Sequence, residues 1–411
     1  MKIHHQFIHR LNDQKGVSAV IVAIVLPVLI GCAALAIDIG YLYATKNELQ
    51  NIADAAALAG ANEIGNQWFN GETLNVGDVK FQIQDVASKN QAAEKYGISI
   101  LDAEMVIGSY DQDATTKIGP QTGTWPTAVR VIARRTEGAN GAIATFFAKI
   151  LNIDTVGVAA DATAALTGQA SAYEGDLLIP VGISNYWYDP SHWTDKGFCD
   201  QPIKFSPTGD IAGCAGWHIY GDMESNPNPP TLNQILEGLT DGSFVPPAAE
   251  AGDSDFAYTG GNLSTSTFPN LQALFDHFKT QVYNAGQPIP LYYDATDNNK
   301  LIRTWADPPE EVNLANPNHL PVLDKEDGID TPKDLYDWEV RVVVYNYPDC
   351  SNPNEVIEVV GFATAVLHAV NDSNDVPGNT VFAEVLCDRI GGGRGGGGNY
   401  GTLGSIAGLV E

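Results

Sequence analysis

Val17 to Ile37 is a run of 21 residues without a charge. As a helix it would span about 30 Å, the thickness of a bilayer hydrocarbon core. Lys2, Arg10 and Lys15 precede the run, and Asp38 follows it. The positive-inside rule therefore predicts a cytoplasmic N-terminus and puts residues 38–411 outside. The charge balance agrees. The chain holds 50 acidic against 22 basic residues, and 34 of the acidic ones fall in residues 169–411. Such an acidic surface excludes nucleic acid as the main partner, because phosphate neutralisation needs a basic face.

Three alternatives to a permanent anchor bear on the same run. A cleaved signal peptide has a shorter apolar core than this one. Leu29-Ile30-Gly31-Cys32 matches the lipobox pattern, which would make Cys32 a lipidation site; otherwise Cys32 is a small apolar residue in a membrane helix. Processing after Lys15-Gly16 is the third.

The helical pattern continues past the membrane. Leu35, Ile39, Leu42, Leu49, Ile52, Ala56 and Ala59 recur at helical steps, and residues 53–61 are nearly all Ala. One helix is predicted from Val17 to Ile64, on the order of 70 Å long, kinked by Pro27 and stopped by Gly65. Ala36 and Gly40 form a small-xxx-small pair. Two uses of this helix follow: it packs beside other helices through Ala36, Gly40, Leu42, Leu49, Ile52, Ala56 and Ala59, or its Ala face covers its own domain.

Gly16-Val-Ser-Ala-Val, Leu26-Pro27, Ala36-Ile-Asp-Ile-Gly40 and Leu49-Gln-Asn-Ile-Ala-Asp-Ala-Ala-Ala-Leu-Ala-Gly-Ala61 resemble the N-terminal region of the TadG/TadE-like family. These are single-pass proteins of the bacterial Tad (Flp) pilus assembly machinery. A second block, Ala128–Arg135, Phe146–Leu151 and Val158–Ala164, is similar to the strand, helix and strand that follow the anchor in that family. The resemblance covers residues 16–166. It implies a minor pilin-like or envelope role in pilus biogenesis at the inner membrane, with the bulk of the chain periplasmic, and no catalysis. It also implies other Tad or pseudopilin-like proteins as partners of the helix, beside membrane lipid. Ile21 stands where prepilin processing usually wants Glu, which favours the uncleaved, TadG-like form. The Asp-x-Ser-x-Ser motif of the von Willebrand A domain, found in many relatives, is missing, so its metal site is not carried over.

The expected fold class is α+β. The long helix leads into a small α+β domain over residues 65–168, then a mostly β, sandwich-like, disulfide-bearing domain over 169–390, and finally a Gly-rich linker and apolar tail over 391–411. In the small domain, helices are expected at Phe81–Tyr96 and Gly141–Leu151, with strands at Ile98–Ser109, Thr127–Arg134 and Thr155–Leu166. Arg130, Arg134 and Arg135 read as a solvated strand face or as a grip on an acidic partner. Beyond Gly168, short strands alternate with Pro-rich loops, and helices are expected at Thr231–Leu239 and Leu271–Val282.

Cys199, Cys214, Cys350 and Cys387 predict two disulfides in an oxidising compartment, paired as nearest neighbours in sequence. A zinc site of Cys199, Cys214, His218 and His192 competes with that reading but lacks a C-x2-C pair. Asp294, Asp297 and Asn298, or Asp324 to Asp330, offer clustered oxygens to Ca²⁺ without the EF-hand spacing. No cofactor is otherwise expected. Neither a nucleophile elbow, a P-loop nor a dinucleotide fingerprint occurs, so an enzyme is not expected. Tyr186-Trp-Tyr188 and His192-Trp193 read as packing aromatics or a sugar-binding surface. Gly391–Gly398 reads as a flexible linker, and the tail after it as an assembly element that completes a sheet edge in a partner or in its own domain. Two other functions stay open: a pilus-tip or surface adhesin displaying the acidic domain, and an envelope-anchored ligand-binding or enzymatic module.

Overall fold

The computed structural model describes residues 15–123, 125–189, 202–205, 214–221, 227–259, 266–281, 290–296, 300–302, 312–313, 315–324, 331–347, 353–387 and 389–410. Helix α1 runs unbroken from Lys15 to Phe69, through Pro27 and through Gly65. Gly65 is therefore not a stop. A Cβ there would collide with the backbone carbonyl of Ser405, so the glycine lets a returning strand press against the helix.

Helix α2, Val76–Ser88, starts where Asn75 accepts a hydrogen bond from the Gly77 N–H, and it buries Val79, Ile83 and Ala87 on one face. It is one turn earlier and shorter than the expected Phe81–Tyr96. Strands β1 (Met105–Tyr110), β2 (Ile118–Gly119), β3 (Ala128–Arg135) and β4 (Val158–Ala165) follow. They form an antiparallel sheet in the order β4-β3-β1-β2. The expected helix at Gly141–Leu151 is instead a hairpin pair, Ile143–Ala144 with Thr155–Val156, and a 3-10 turn at Ala148–Leu151. Its apolar residues suit a helix, but the loop closes too tightly to hold one.

The upper half of α1 lies on this sheet. Leu49, Ile52, Ala53, Ala56, Ala57, Ala61 and Ile64 share one core with Val129 and Val131 of β3 and Ala160, Ala162 and Ala164 of β4. Small side chains meet small side chains, which lets helix and sheet approach closely. Burying Leu49, Ile52 and Ile64 stabilises the domain by about 1.5–3 kcal/mol each.

The three arginines neither face solvent freely nor wait for a partner. Arg130 pairs with Asp161 at 2.9 Å, Arg134 with Glu104, and buried Arg135 donates to the carbonyls of Ala92 and Gly141. Each is used inside the domain, because neighbouring strands bring acceptors that lie far away in sequence.

The distal domain holds strands β5 (Val181–Ser184), β6 (Pro202–Phe205), β7 (Ala215–Ile219), helix α3 (Pro229–Asp241), β8 (Ala257–Thr259), helix α4 (Thr267–Phe278) and β9 (Thr280–Gln281). Beyond them come β10 (Tyr292–Asp294), β11 (Lys300–Leu301), β12 (His319–Pro321), β13 (Tyr336–Tyr345), β14 (Val359–Asn371) and β15 (Thr380–Leu386). One mixed sheet takes the order β6-β15-β14-β13-β5-β7-β8, with β9 also on β13. The β5–β13 pair is parallel and the other pairs are antiparallel.

Helix α4 packs on β14 of this sheet, and α3 packs on α4. α3 is set by the Asn228 cap, Pro229-Pro230 in its first turn and left-handed Gly242 at its end. It buries Leu232, Ile235, Leu236 and Leu239; α4 stacks Phe278 on Trp338 and sets Phe268 edge-on to Trp217. The expected β-sandwich is thus corrected to a sheet with helices packed on it. Short strands between Pro-rich loops show that a sheet is built and do not show what covers it. A small sheet, β11-β10-β12, adds a satellite core of Leu291, Tyr293, Val322 and Leu335 against Ala369 and Phe382.

Strand β16 (Arg389–Arg394) pairs in parallel with β17 (Thr402–Ile406), and β18 (Gly408–Leu409) joins the proximal sheet beside Ala164–Ala165 of β4. The expected flexible linker is therefore a packed strand. Gly391, Gly392 and Gly393 are buried; a Cβ on Gly391 would collide with Arg341 and Gln169, and one on Gly393 with the Ser171 carbonyl. The glycines are there for close approach, which composition alone reads as flexibility. Outgoing and returning chains are hydrogen-bonded to each other, Gln169 N–H to Thr402 O at 2.9 Å and Ala170 N–H to Arg394 O at 2.8 Å. The distal domain is thus inserted between two strands of the proximal sheet, and the tail completes its own domain's edge.

The two expected disulfides are not shown among the described residues. Cys214 and Cys387 are not free thiols, but the other half of each expected bridge, Cys199 and Cys350, lies outside the described residues.

Candidate functional site: the anchor helix and the loop that clasps it

The apolar half of α1 stands outside both cores. Val20, Ile24, Leu26, Leu29, Ile30 and Ile37 are all exposed, and this stretch is long and apolar enough to cross a membrane. Ala36 and Gly40 are exposed as well, and a Cβ on Gly40 would meet nothing within 4 Å. Leu42 and Ala59 are half-buried, whereas Leu49, Ile52 and Ala56 are buried in the proximal core. The seven residues of the predicted packing stripe therefore divide. The upper ones are occupied by their own sheet, and the lower ones are open to lipid or to another helix. Cys32 sits in the open half as an exposed free thiol.

Asp38 marks the division. It is buried, and its carboxylate accepts three backbone hydrogen bonds: from Phe146 at 2.8 Å on Oδ1, and from Phe147 at 2.9 Å and Ala148 at 2.6 Å on Oδ2. Burial raises its pKa, but these donors and nearby Lys149 more than offset that and hold the carboxyl below the usual carboxylate range. Tyr41 packs edge-on against Phe146 with ring centres 5.5 Å apart. The clasping loop is closed by the Ile143–Val156 and Ala144–Thr155 pairs, and left-handed Asn152 ends its 3-10 turn. The sequence reading noted Asp38 as the charge after the apolar run and as part of the Ala36–Gly40 segment that carries the resemblance, without a role in the fold. Nothing local to Ile143–Ala148 marks it as the donor loop for a carboxylate more than 100 residues away.

The candidate chemical centres fall only in part among the described residues. Asp294 bonds Thr296 at 2.8 Å and lies 3.7 Å from His319, while Asp297, Asn298 and residues 325–330 lie outside the described residues. His192 and Trp193 lie outside them too. His218 is fully buried among Tyr220, Phe256 and Tyr258, and that burial pushes its pKa down to about 3. It is a neutral core residue here, walled off by aromatic rings. Tyr188 is buried against Tyr400, 4.8 Å between ring centres, rather than presented to a sugar. His368 was missed by the sequence reading. It is buried at a bulge of β14, 2.7 Å from Asp337 and 3.6 Å from Glu384. Burial opposes its charged form, but the two carboxylates outweigh that and raise its pKa.

No curated protein and no solved structure matches the chain. Residues 16–63 match the model of the family described as "Putative Flp pilus-assembly TadE/G-like". The matched segment holds the exposed apolar half of α1, Asp38 and most of the buried half, and it ends before α2. By this helix, which the resemblance in the sequence had already singled out, the N-terminal region of the chain is TadE/G-like.

Proposed function

We propose that this chain is a TadG-like, membrane-anchored component of a bacterial Tad/Flp pilus assembly system. The observation that carries the reading is the TadE/G-like match over a helix whose apolar half is exposed while its other half is locked into a domain. In this reading α1 crosses the inner membrane once, with Lys15 and its preceding basic residues cytoplasmic and both domains periplasmic. The open half, with Ala36 and Gly40, packs beside other pilus-assembly or pseudopilin-like helices and lipid. The acidic distal domain is displayed outward, on a base fixed by the strands that return to the proximal sheet. The role is assembly, without a catalytic step or cofactor, and the four distal cysteines form two disulfides. Deleting the gene in its native host, with complementation in trans, should remove sheared surface pili and then restore them. Unchanged amounts of major pilin in the sheared fraction would overturn the assembly role.

A further inference from the structure

We propose that loop 145–154 is a second membrane contact, set on the outer face of the bilayer so that Phe146, Ile150 and Leu151 enter the lipid headgroup region beside α1. The proposal rests on the reading that α1 crosses the membrane. Its starting point is an anomaly of exposure: Ile150 is 84% exposed, and Phe146 and Leu151 are each 61% exposed. Phe147 and Ile153 are exposed beside them. Five large apolar side chains on one short loop form a patch that water disfavours.

The loop's position identifies its occupant. Asp38 is the first charge after the uncharged run of α1, so it sits where hydrocarbon gives way to headgroups. Three loop N–H groups are bonded to that carboxylate, which fixes the loop at the same depth. Phe146 lies on Tyr41, so the loop patch is continuous with the exposed apolar surface of α1 that includes Ile37 and Ile39. Aromatic rings are favoured at this interfacial level. The charge pattern agrees. Between Ile143 and Ile153 the sole charge is Lys149, in a chain with more than twice as many acidic as basic residues. A cation beside the bilayer suits anionic headgroups. A helix with one contact can tilt freely, and a second contact beside it fixes the orientation of the domain above.

The test uses the full chain reconstituted in vesicles of phosphatidylcholine and phosphatidylglycerol. An environment-sensitive fluorescent amino acid replaces Ile150, and in a separate protein Leu26, within the span. The vesicles carry a lipid with a spin-label quencher near the top of its acyl chain. Blue-shifted emission and quenching at position 150 are expected, and Asp38→Ala should reduce both there while leaving position 26 unchanged. Aqueous emission without quenching at position 150, with position 26 still quenched, overturns the loop contact and leaves the anchor standing. Absence of quenching at both positions overturns the anchor and the loop contact together. A photo-crosslinking amino acid at position 150 that joins two copies of the chain, with the fluorescent probe there escaping lipid quenching, would replace the lipid with a neighbouring copy and so also overturn the proposal.

Discussion

The two halves of α1 are one helix in two environments. From Val20 to Ile39 the large apolar side chains are exposed, and a methyl added to Gly40 meets open space. Above it Leu49, Ile52, Ala56 and Ile64 are sealed by the sheet, and a methyl added to Gly65 meets the Ser405 backbone. Both halves are rich in small residues, so smallness alone does not say what packs there. In the upper half it serves helix-on-sheet contact within the chain; in the lower half no described residue of the chain closes on Gly40. The difference separates residues that hold the fold from residues that meet other molecules.

The largest test of this division is removal of residues 402–411. The cut strips β17 and β18 from α1 and β4, taking Leu403 and Ala407 out of the proximal core. The loss should exceed the about 2–5 kcal/mol of one large-to-small core change, and limited proteolysis of the full chain should show it as rapid degradation of the proximal domain. A protease-resistant proximal domain would mean that the tail is dispensable there.

Next comes Leu49→Ala, expected to lower stability by about 2–5 kcal/mol in denaturant unfolding. The same truncation at exposed Leu29 should leave unfolding of the proximal domain unchanged. Equal effects at both sites would erase the distinction between the halves.

A smaller contrast uses glycine. Gly65→Ala forces the Ser405 strand away, at a cost of about 1–3 kcal/mol from overpacking. Gly40→Ala should be neutral or slightly stabilising to the fold, since Ala is the better helix former.

The smallest effect concerns the distal domain and pH. His368 has a raised folded pKa, so its contribution is fully present below its ordinary value of 6.5 and is lost as pH rises through the folded pKa. The midpoint of distal unfolding should therefore fall as pH is raised through and above 6.5. His368→Gln should flatten that slope, and an unchanged slope would contradict the assignment.

Much of this architecture was legible in the sequence. The helix was traced to within two residues at its start and five at its end because its periodicity and Ala content persist through Ile64. Helix α3 was read within two residues at each end. What escaped depends on contacts far apart in sequence. Gly391–Gly398 has the composition of a linker, and only the nearness of Gln169, Ser171 and Arg341 makes its glycines structural. Asp38 and Phe146 are 108 residues apart, and no local pattern joins them. His368 acquires its meaning from Asp337 and Glu384 on the two neighbouring strands.

The most direct measurement is site-specific photo-crosslinking along α1 in native membranes, with the probe placed in turn at positions 36, 40, 43, 49, 52 and 56. Probes at 36, 40 and 43 should capture lipid or another protein chain, while those at 49, 52 and 56 should capture only the protein's own sheet. Intermolecular cross-links from 49, 52 and 56 as strong as those from 36 and 40 would contradict the division of the helix on which this account rests.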